Sequence, residues 1–128
     1  MLVDADNLDA GRLRLVAGVL VEAGAAARVV VAGHPARIAA VDWPAHAVVV
    51  EAAGWQTADV VLADAYVADD EPLVLVTGDG DFALLAQRHR GPVLVVGPSG
   101  STSGRLRDGA AVVDPVHDGL ERLRTWLR

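Results

Sequence analysis

Short valine-rich runs recur along the chain, and their spacing constrains the fold more than any other feature of the sequence. The runs are continuously apolar, which is typical of strands buried on both faces of a parallel sheet. The predicted strands are Met1–Asp4, Arg28–Ala32, Ala47–Glu51, Leu73–Thr77 and Pro92–Gly97, with Ala111–Asp114 as a further edge strand. The helices predicted between and after them are Asp9–Ala23, Thr57–Ala68, Asp81–Arg90 and Val116–Leu127. This alternation predicts an α/β fold with helices on both faces of a mainly parallel sheet.

The length and the residue types narrow the class of protein further. A chain of 128 residues corresponds to a single domain, here residues 1–128. The absence of cysteine excludes disulfides and thiolate metal ligands. No apolar run reaches the roughly 18 residues that a membrane span needs, and the first residues lack the features of a signal peptide. We therefore expect a cytoplasmic protein without a membrane partner. The segment Gly97–Gly104 has the composition of a flexible surface loop.

The charged residues are unusual in kind as well as in balance. All eleven basic residues are arginine, and the net charge is −6. This balance argues against a protein that binds nucleic acid by bulk electrostatic attraction. It does not exclude an enzyme with an acidic site, because bound cations offset part of the charge there.

Aspartates follow the predicted strands at the points where the strands end. Asp4 ends the first strand, Asp79 and Asp81 follow the fourth, and Asp59 lies in the first turn of the helix after the third. In a doubly wound sheet, ligands bind beyond the carboxyl ends of the strands, where the strand order reverses. Two carboxylates about 4 Å apart repel by about 4 kcal/mol at an effective dielectric constant of 20. Such a cluster must bind protons or cations, and oxygen ligands favour Mg²⁺ or Mn²⁺.

Each aspartate also has an ordinary structural explanation. Aspartate is a common turn residue and helix N-cap, so Asp81 could simply cap the helix that follows it. Asp59 could be an acid that complements the dipole of its helix. Asp6 and Asp64 are expected beside the cluster rather than in it, with Asp64 facing solvent. The joint occurrence of acids at several strand ends favours a site over these separate explanations.

At these residues the sequence resembles the NYN domain family, a branch of the PIN-like ribonuclease superfamily. The matching segments, which span nearly the whole chain, are Asp4-Ala5-Asp6-Asn7, Ala58-Asp59-Val60-Val61-Leu62, Thr77-Gly78-Asp79-Gly80-Asp81-Phe82, and Ser101-Thr102-Ser103 with Leu106. The third segment corresponds to the family signature S-G-D-x-D-F and is the most specific of the four. The resemblance implies a three-layer α/β/α fold with strand order 3-2-1-4-5, to which the extra edge strand would be added.

The same resemblance implies a metal-dependent ribonuclease that hydrolyses phosphodiester bonds of single-stranded RNA. By matching position, the acids of the Mg²⁺ or Mn²⁺ site would be Asp4, Asp59, Asp79 and Asp81. Asn7 would orient a phosphate or a water. The residues expected to contact the RNA backbone are Ser101, Thr102 and Ser103, followed by Arg105 and Arg107, whose loop should lie at the active edge.

Two other functions stay open at this point. The chain could be a non-catalytic metal- or nucleotide-binding module that acts through partners. It could also be a phosphatase of the haloacid dehalogenase class, with Asp4 as the nucleophile, although that mechanism normally uses a lysine and the chain has none.

Trp43 and Trp55 fall in predicted loops, where they could stack on bases or pack against the protein. Helical faces rich in alanine and valine leave room for a homodimer.

Overall fold

Six parallel strands and six helices make up the fold in the computed structural model, which describes residues 1–26, 28–108 and 110–128. The strands are β1 (Leu2–Asp4), β2 (Val30–Gly33), β3 (Val48–Glu51), β4 (Leu73–Val76), β5 (Val93–Val96) and β6 (Ala111–Val113). The helices are α1 (Ala10–Ala23), α2 (Pro35–Ala39), α3 (Thr57–Ala65), α4 (Ala83–Arg88), α5 (Gly104–Arg107) and α6 (Glu121–Trp126). Two 3₁₀ turns are Gly24–Ala26 and Gly80–Phe82.

The six strands form one sheet in the order β3-β2-β1-β4-β5-β6, and every neighbouring pair is parallel. The central strand β1 pairs with β2 through Leu2 and Val30, and with β4 through Leu2 and Leu75. The strand order reverses at β1 and β4, so the carboxyl ends of these two strands lie side by side. The predicted α/β class, the order of the first five strands and the extra edge strand are confirmed.

Successive residues of each strand point to opposite faces of the sheet, and each face has its own apolar core. One core joins residues such as Val3 and Val31 to α1, α2 and α6. The other joins residues such as Leu2 and Val30 to α3, α4 and α5. The sheet is therefore the middle layer of three, and its carboxyl edge is left open between the two layers of helices.

One predicted strand differs from the structure in how far it is buried. The prediction that β3 is buried on both faces is wrong, because Val48 is 56% exposed and Val49 is 39% exposed. β3 lies at the edge of the sheet and has a neighbouring strand on one side only. The segment Gly97–Gly104, predicted as a flexible surface loop, has Ser99, Gly100, Ser101 and Gly104 exposed, while Thr102 is buried and its hydroxyl donates a hydrogen bond to the carbonyl of Pro98 at 2.6 Å.

Three predicted helices are shorter in the structure. The helix predicted over Asp81–Arg90 is the 3₁₀ turn Gly80–Phe82 followed by α4, which ends at Arg88. The helix predicted over Val116–Leu127 begins only at Glu121, since Gly119 has a φ of 77° that a right-handed helix cannot continue. The α3 helix ends at Ala65, where Tyr66 turns to extended backbone. Among the described residues, none of the helices has both the length and the apolar character required to cross a membrane.

Candidate metal centre

Asp4 is the innermost acid of the site, because it is the last residue of the central strand and is only 1% exposed. Its Oδ1 accepts a hydrogen bond from the Asp6 amide at 3.2 Å. Its Oδ2 accepts one from Asn7 Nδ2 at 3.0 Å and one from Thr77 Oγ1 at 3.2 Å. Burial raises the pKa of Asp4, and these three hydrogen bonds oppose that shift. The carboxylate is therefore fixed in orientation, with its donors supplied by β1, the turn after it and the end of β4.

Asp59 and Asp79 converge on Asp4 from two other elements. Asp59 lies in the first turn of α3, which packs against β1 and β2. Asp79 follows β4 and caps the 3₁₀ turn by accepting a hydrogen bond from the Asp81 amide at 3.0 Å. One oxygen from each of Asp4, Asp59 and Asp79 can be chosen so that all three lie within 4.8 Å of one another. The structure thus brings together three of the four acids that the sequence predicts for the site.

Thr77 connects the two strand ends that carry these acids. Its hydroxyl donates to Asp4 on β1 and accepts a hydrogen bond from the Asp79 amide at 3.1 Å. A threonine or serine suits this position, since the single oxygen of a hydroxyl can donate to one group and accept from the other. The spacing between Asp4 and Asp79 is therefore set by a side chain that is itself buried.

Asp59 shows the electrostatic effect of this clustering. Its pKa is raised to about 6, first by partial burial and then by repulsion from Asp4, Asp79 and Asp81. A carboxyl group with this pKa holds a proton over part of the range just below neutrality. A divalent cation bound among the carboxylates would offset their mutual repulsion, which is the second cause of the shift.

The donor set fits a hard divalent cation. Mg²⁺ binds oxygen at 2.0–2.1 Å, so two ligands on opposite sides of it lie about 4.2 Å apart. The three carboxylate oxygens lie within 4.8 Å of one another, which is comparable with the spacing of ligands around one such ion.

Asp81 and Asn7 lie at the rim of this group. Asp81 is exposed and outside the set of three, although it is close enough to raise the pKa of Asp59. Its Oδ2 accepts a hydrogen bond from Gln56 Nε2 at 3.4 Å. Asn7 is also exposed, and its side-chain amide donates to Asp4. It stays a prediction that Asp81 binds the metal and that Asn7 orients a phosphate or a water.

The Ser/Thr segment lies directly against the turn that carries Asp79. The Ser103 amide donates to the carbonyl of Gly78 at 3.1 Å. A Cβ at Gly80 would lie 2.6 Å from Ser103 Oγ, so a side chain there would require Ser103 to move. Ser101 is exposed on this segment, whereas Thr102 is buried. The segment therefore borders the acids, as the sequence predicts, and its contact with RNA stays a prediction.

The two predicted phosphate-binding arginines differ in position. A Cβ at Gly80 would lie 3.5 Å from a guanidinium nitrogen of Arg105, which places that side chain beside the acidic turn. Arg107 instead donates to the carbonyl of Ser99 at 2.6 Å. Arg105 is therefore the better situated of the two for contact with a ligand at the acids.

A buried ion pair near the same edge of the sheet escaped the sequence analysis. Asp114, at the end of β6, accepts two hydrogen bonds from the Arg12 guanidinium at 3.0 and 2.9 Å. Arg12 and the backbone amides of Ser99 and Val116 hold the pKa of Asp114 well below its usual range. The sequence pattern could have identified Asp114, since it ends a predicted strand as Asp4 does. Its partner Arg12 lies 102 positions away in sequence, which no local pattern connects.

Comparison with known proteins identifies no relative of this chain. No protein-family model matches the chain, and searches of the curated proteins and of the solved structures also find no match.

Proposed function

We propose that this chain is a metal-dependent endoribonuclease of the NYN type, which cleaves single-stranded RNA with Mg²⁺ or Mn²⁺. The observation that carries the proposal is the convergence of Asp4, Asp59 and Asp79 from three separate elements. Bringing like charges together opposes folding, as the raised pKa of Asp59 indicates. A turn or a helix cap needs no such convergence, whereas a cation site does. The resemblance of the surrounding motifs to the NYN family supplies the RNA substrate.

Each residue of the site has a role in this proposal. Asp4, Asp59 and Asp79 would hold the ion, which when bound lowers the pKa of a water and offsets charge on a phosphodiester. Thr77 sets the distance between two of these acids, and Asn7 fixes the orientation of Asp4. The residues that would border the substrate are Asp81, Ser101, Thr102, Ser103, Arg105 and Arg107.

An end-labelled single-stranded RNA provides the test. We expect cleavage with Mn²⁺ or Mg²⁺ and none with a chelator. Asp79→Asn should lower the rate by more than about 100-fold, because even the partners of metal ligands affect activity by 10- to 100-fold. The matched control is Asp70→Asn, which removes one exposed carboxylate that pairs with Arg90 away from the site. Cleavage that persists in Asp79→Asn or in chelator would contradict the proposal.

The second candidate is a non-catalytic metal- or nucleotide-binding module. The engagement of Arg12 by Asp114 and of Arg107 by Ser99 favours it, because both arginines are then less free to hold a polyanion. Calorimetric titration with Mn²⁺ separates the two candidates. Binding that is lost in Asp79→Asn, in folded protein that cleaves no RNA, would support the module.

The phosphatase alternative receives less support. Its nucleophile would be Asp4, which is 1% exposed and accepts hydrogen bonds on both oxygens. The chain also lacks the lysine that this mechanism normally uses. Trapping of an aspartyl phosphate on Asp4 would revive this alternative.

A further inference from the structure

Trp55 is 89% exposed, more than any of the other large hydrophobic side chains exposed on the described surface. Tryptophan is buried on average, so a side chain this exposed calls for an explanation. The other two tryptophans, Trp43 and Trp126, are partly buried and pack against an apolar core. Trp55 lies instead between β3 and α3, at the carboxyl edge of the sheet where the three acids converge.

A tight turn holds Trp55 in this position. The Thr57 amide donates to the carbonyl of Gly54 at 3.3 Å, which closes a four-residue turn with Trp55 and Gln56 at its centre. Gln56 has φ 56° and ψ 11°, and it is the only non-glycine with a positive φ among the residues described. Glycine or asparagine normally occupies such a position in a turn. Glutamine at a strained position next to an exposed tryptophan indicates a function for this turn.

The side chain of Gln56 attaches the turn to the acidic site. Its Nε2 donates to Asp81 Oδ2 at 3.4 Å, and Asp81 in turn raises the pKa of Asp59. Trp55 is therefore adjacent in sequence to a residue whose side chain contacts Asp81, and its own side chain is exposed to solvent. Its immediate neighbours in sequence, Gly54 and Gln56, carry no apolar side chain.

We propose that Trp55 stacks on a base of the single-stranded RNA whose backbone passes the Asp4, Asp59 and Asp79 site. The inference rests on the proposed function and identifies how the substrate is held. With a net charge of −6, the protein has little bulk attraction for phosphates. Stacking of a base on an aromatic ring needs no charge and tolerates any sequence. A duplex offers no free base face inside its stack, so this contact selects unpaired nucleotides.

Binding is measured in Asp79→Asn protein with Mg²⁺, so that the RNA stays intact. The probes are a short labelled oligouridylate and an abasic ribose-phosphate strand of the same length. We expect Trp55→Ala to weaken binding of the oligouridylate by roughly 5- to 150-fold, the range for loss of one stacked base, and to leave the abasic strand unaffected. Trp55→Phe should retain most of the affinity. Val21→Ala, an exposed apolar residue on α1, is the control and should change neither.

The outcomes separate this inference from the nuclease proposal. The inference is overturned if Trp55→Ala leaves the affinity for the oligouridylate unchanged. It is also overturned if Trp55→Ala weakens binding of both probes equally, because Trp55 then has a structural role. Absence of oligouridylate binding, or self-association that depends on Trp55, overturns it as well. Base-dependent binding through Trp55 supports the inference even where the wild-type chain cleaves no RNA. Metal-dependent cleavage that is indifferent to Trp55 leaves the nuclease proposal standing and removes the inference.

Discussion

Replacing Asp59 with asparagine should stabilise the ion-free protein at neutral pH, although it removes a proposed metal ligand. The pKa of Asp59 is about 6 in the folded protein, against a reference value of 3.8. The folded protein thus binds this proton more tightly than the unfolded chain does. The resulting stability is fully present below pH about 4 and is lost as the pH rises through about 6. Asparagine keeps the shape of the side chain without the charge.

The size of the effect follows from the interval between the two pKa values. From 3.8 to about 6, at 1.36 kcal/mol per pH unit, the fully buried limit is about 3 kcal/mol. Asp59 is partly exposed, so solvent screening reduces this to about 1 kcal/mol. We therefore expect Asp59→Asn to raise the free energy of unfolding by about 1 kcal/mol at pH 7.5, and by much less at pH 4.5.

Urea unfolding at the two pH values, in chelator, measures the difference. The matched control is Asp64→Asn, which removes an exposed carboxylate outside the acidic cluster from the same helix and should change the free energy of unfolding less. In saturating Mn²⁺ the wild-type protein should instead be more stable than Asp59→Asn, since an ion present at 100 times its dissociation constant stabilises the wild-type protein by about 2.7 kcal/mol. A variant that is less stable than the wild type at pH 7.5 in chelator, or a difference that is the same at both pH values, would refute the reasoning.

Two further predictions concern residues outside the three acids. Arg12→Ala should lower the free energy of unfolding by about 3 kcal/mol in thermal or urea denaturation, because it leaves the fully buried Asp114 carboxylate without its cation. Arg124→Ala, which removes exposed ion pairs, should have a clearly smaller effect, and equal losses would contradict this account. Gln56→Gly should raise the stability by about 0.5–1 kcal/mol, because glycine adopts a positive φ without strain. A loss of stability there would mean that the bond to Asp81 outweighs the strain.

The sequence predicted the centre of the sheet better than its edges. The valine-rich runs of β1, β2, β4 and β5 are buried in the structure on both faces, as continuous apolar runs should be. The run in β3 has the same composition, yet two of its valines are exposed. Composition reports that a segment can be buried, whereas its position in the sheet decides whether anything covers it.

The parts of the candidate site that depend on the position of a single residue were predictable from the sequence. The parts that depend on a contact between two residues far apart in the sequence were not. Asp4 ends a predicted strand, Asp79 follows one and Asp59 lies in the first turn of a predicted helix, so the topology alone brings them together. The ion pair between Arg12 and Asp114 depends on which helix faces β6, which the pattern of the sequence does not encode. The packing of the Ser/Thr segment depends likewise on a close approach of glycines to hydroxyls.

The position of β1 between β2 and β4 has a consequence for how the protein is made. A chain synthesised only as far as α3 contains Asp4 and Asp59, but nothing yet pairs with the second edge of β1. Asp79 directly follows β4, so the third carboxylate is synthesised together with the strand that completes the centre of the sheet. Pairing between strands so far apart in sequence is slow to form. The three carboxylates can therefore converge only once β4 has paired with β1, so the acidic cluster and the centre of the sheet form in the same step.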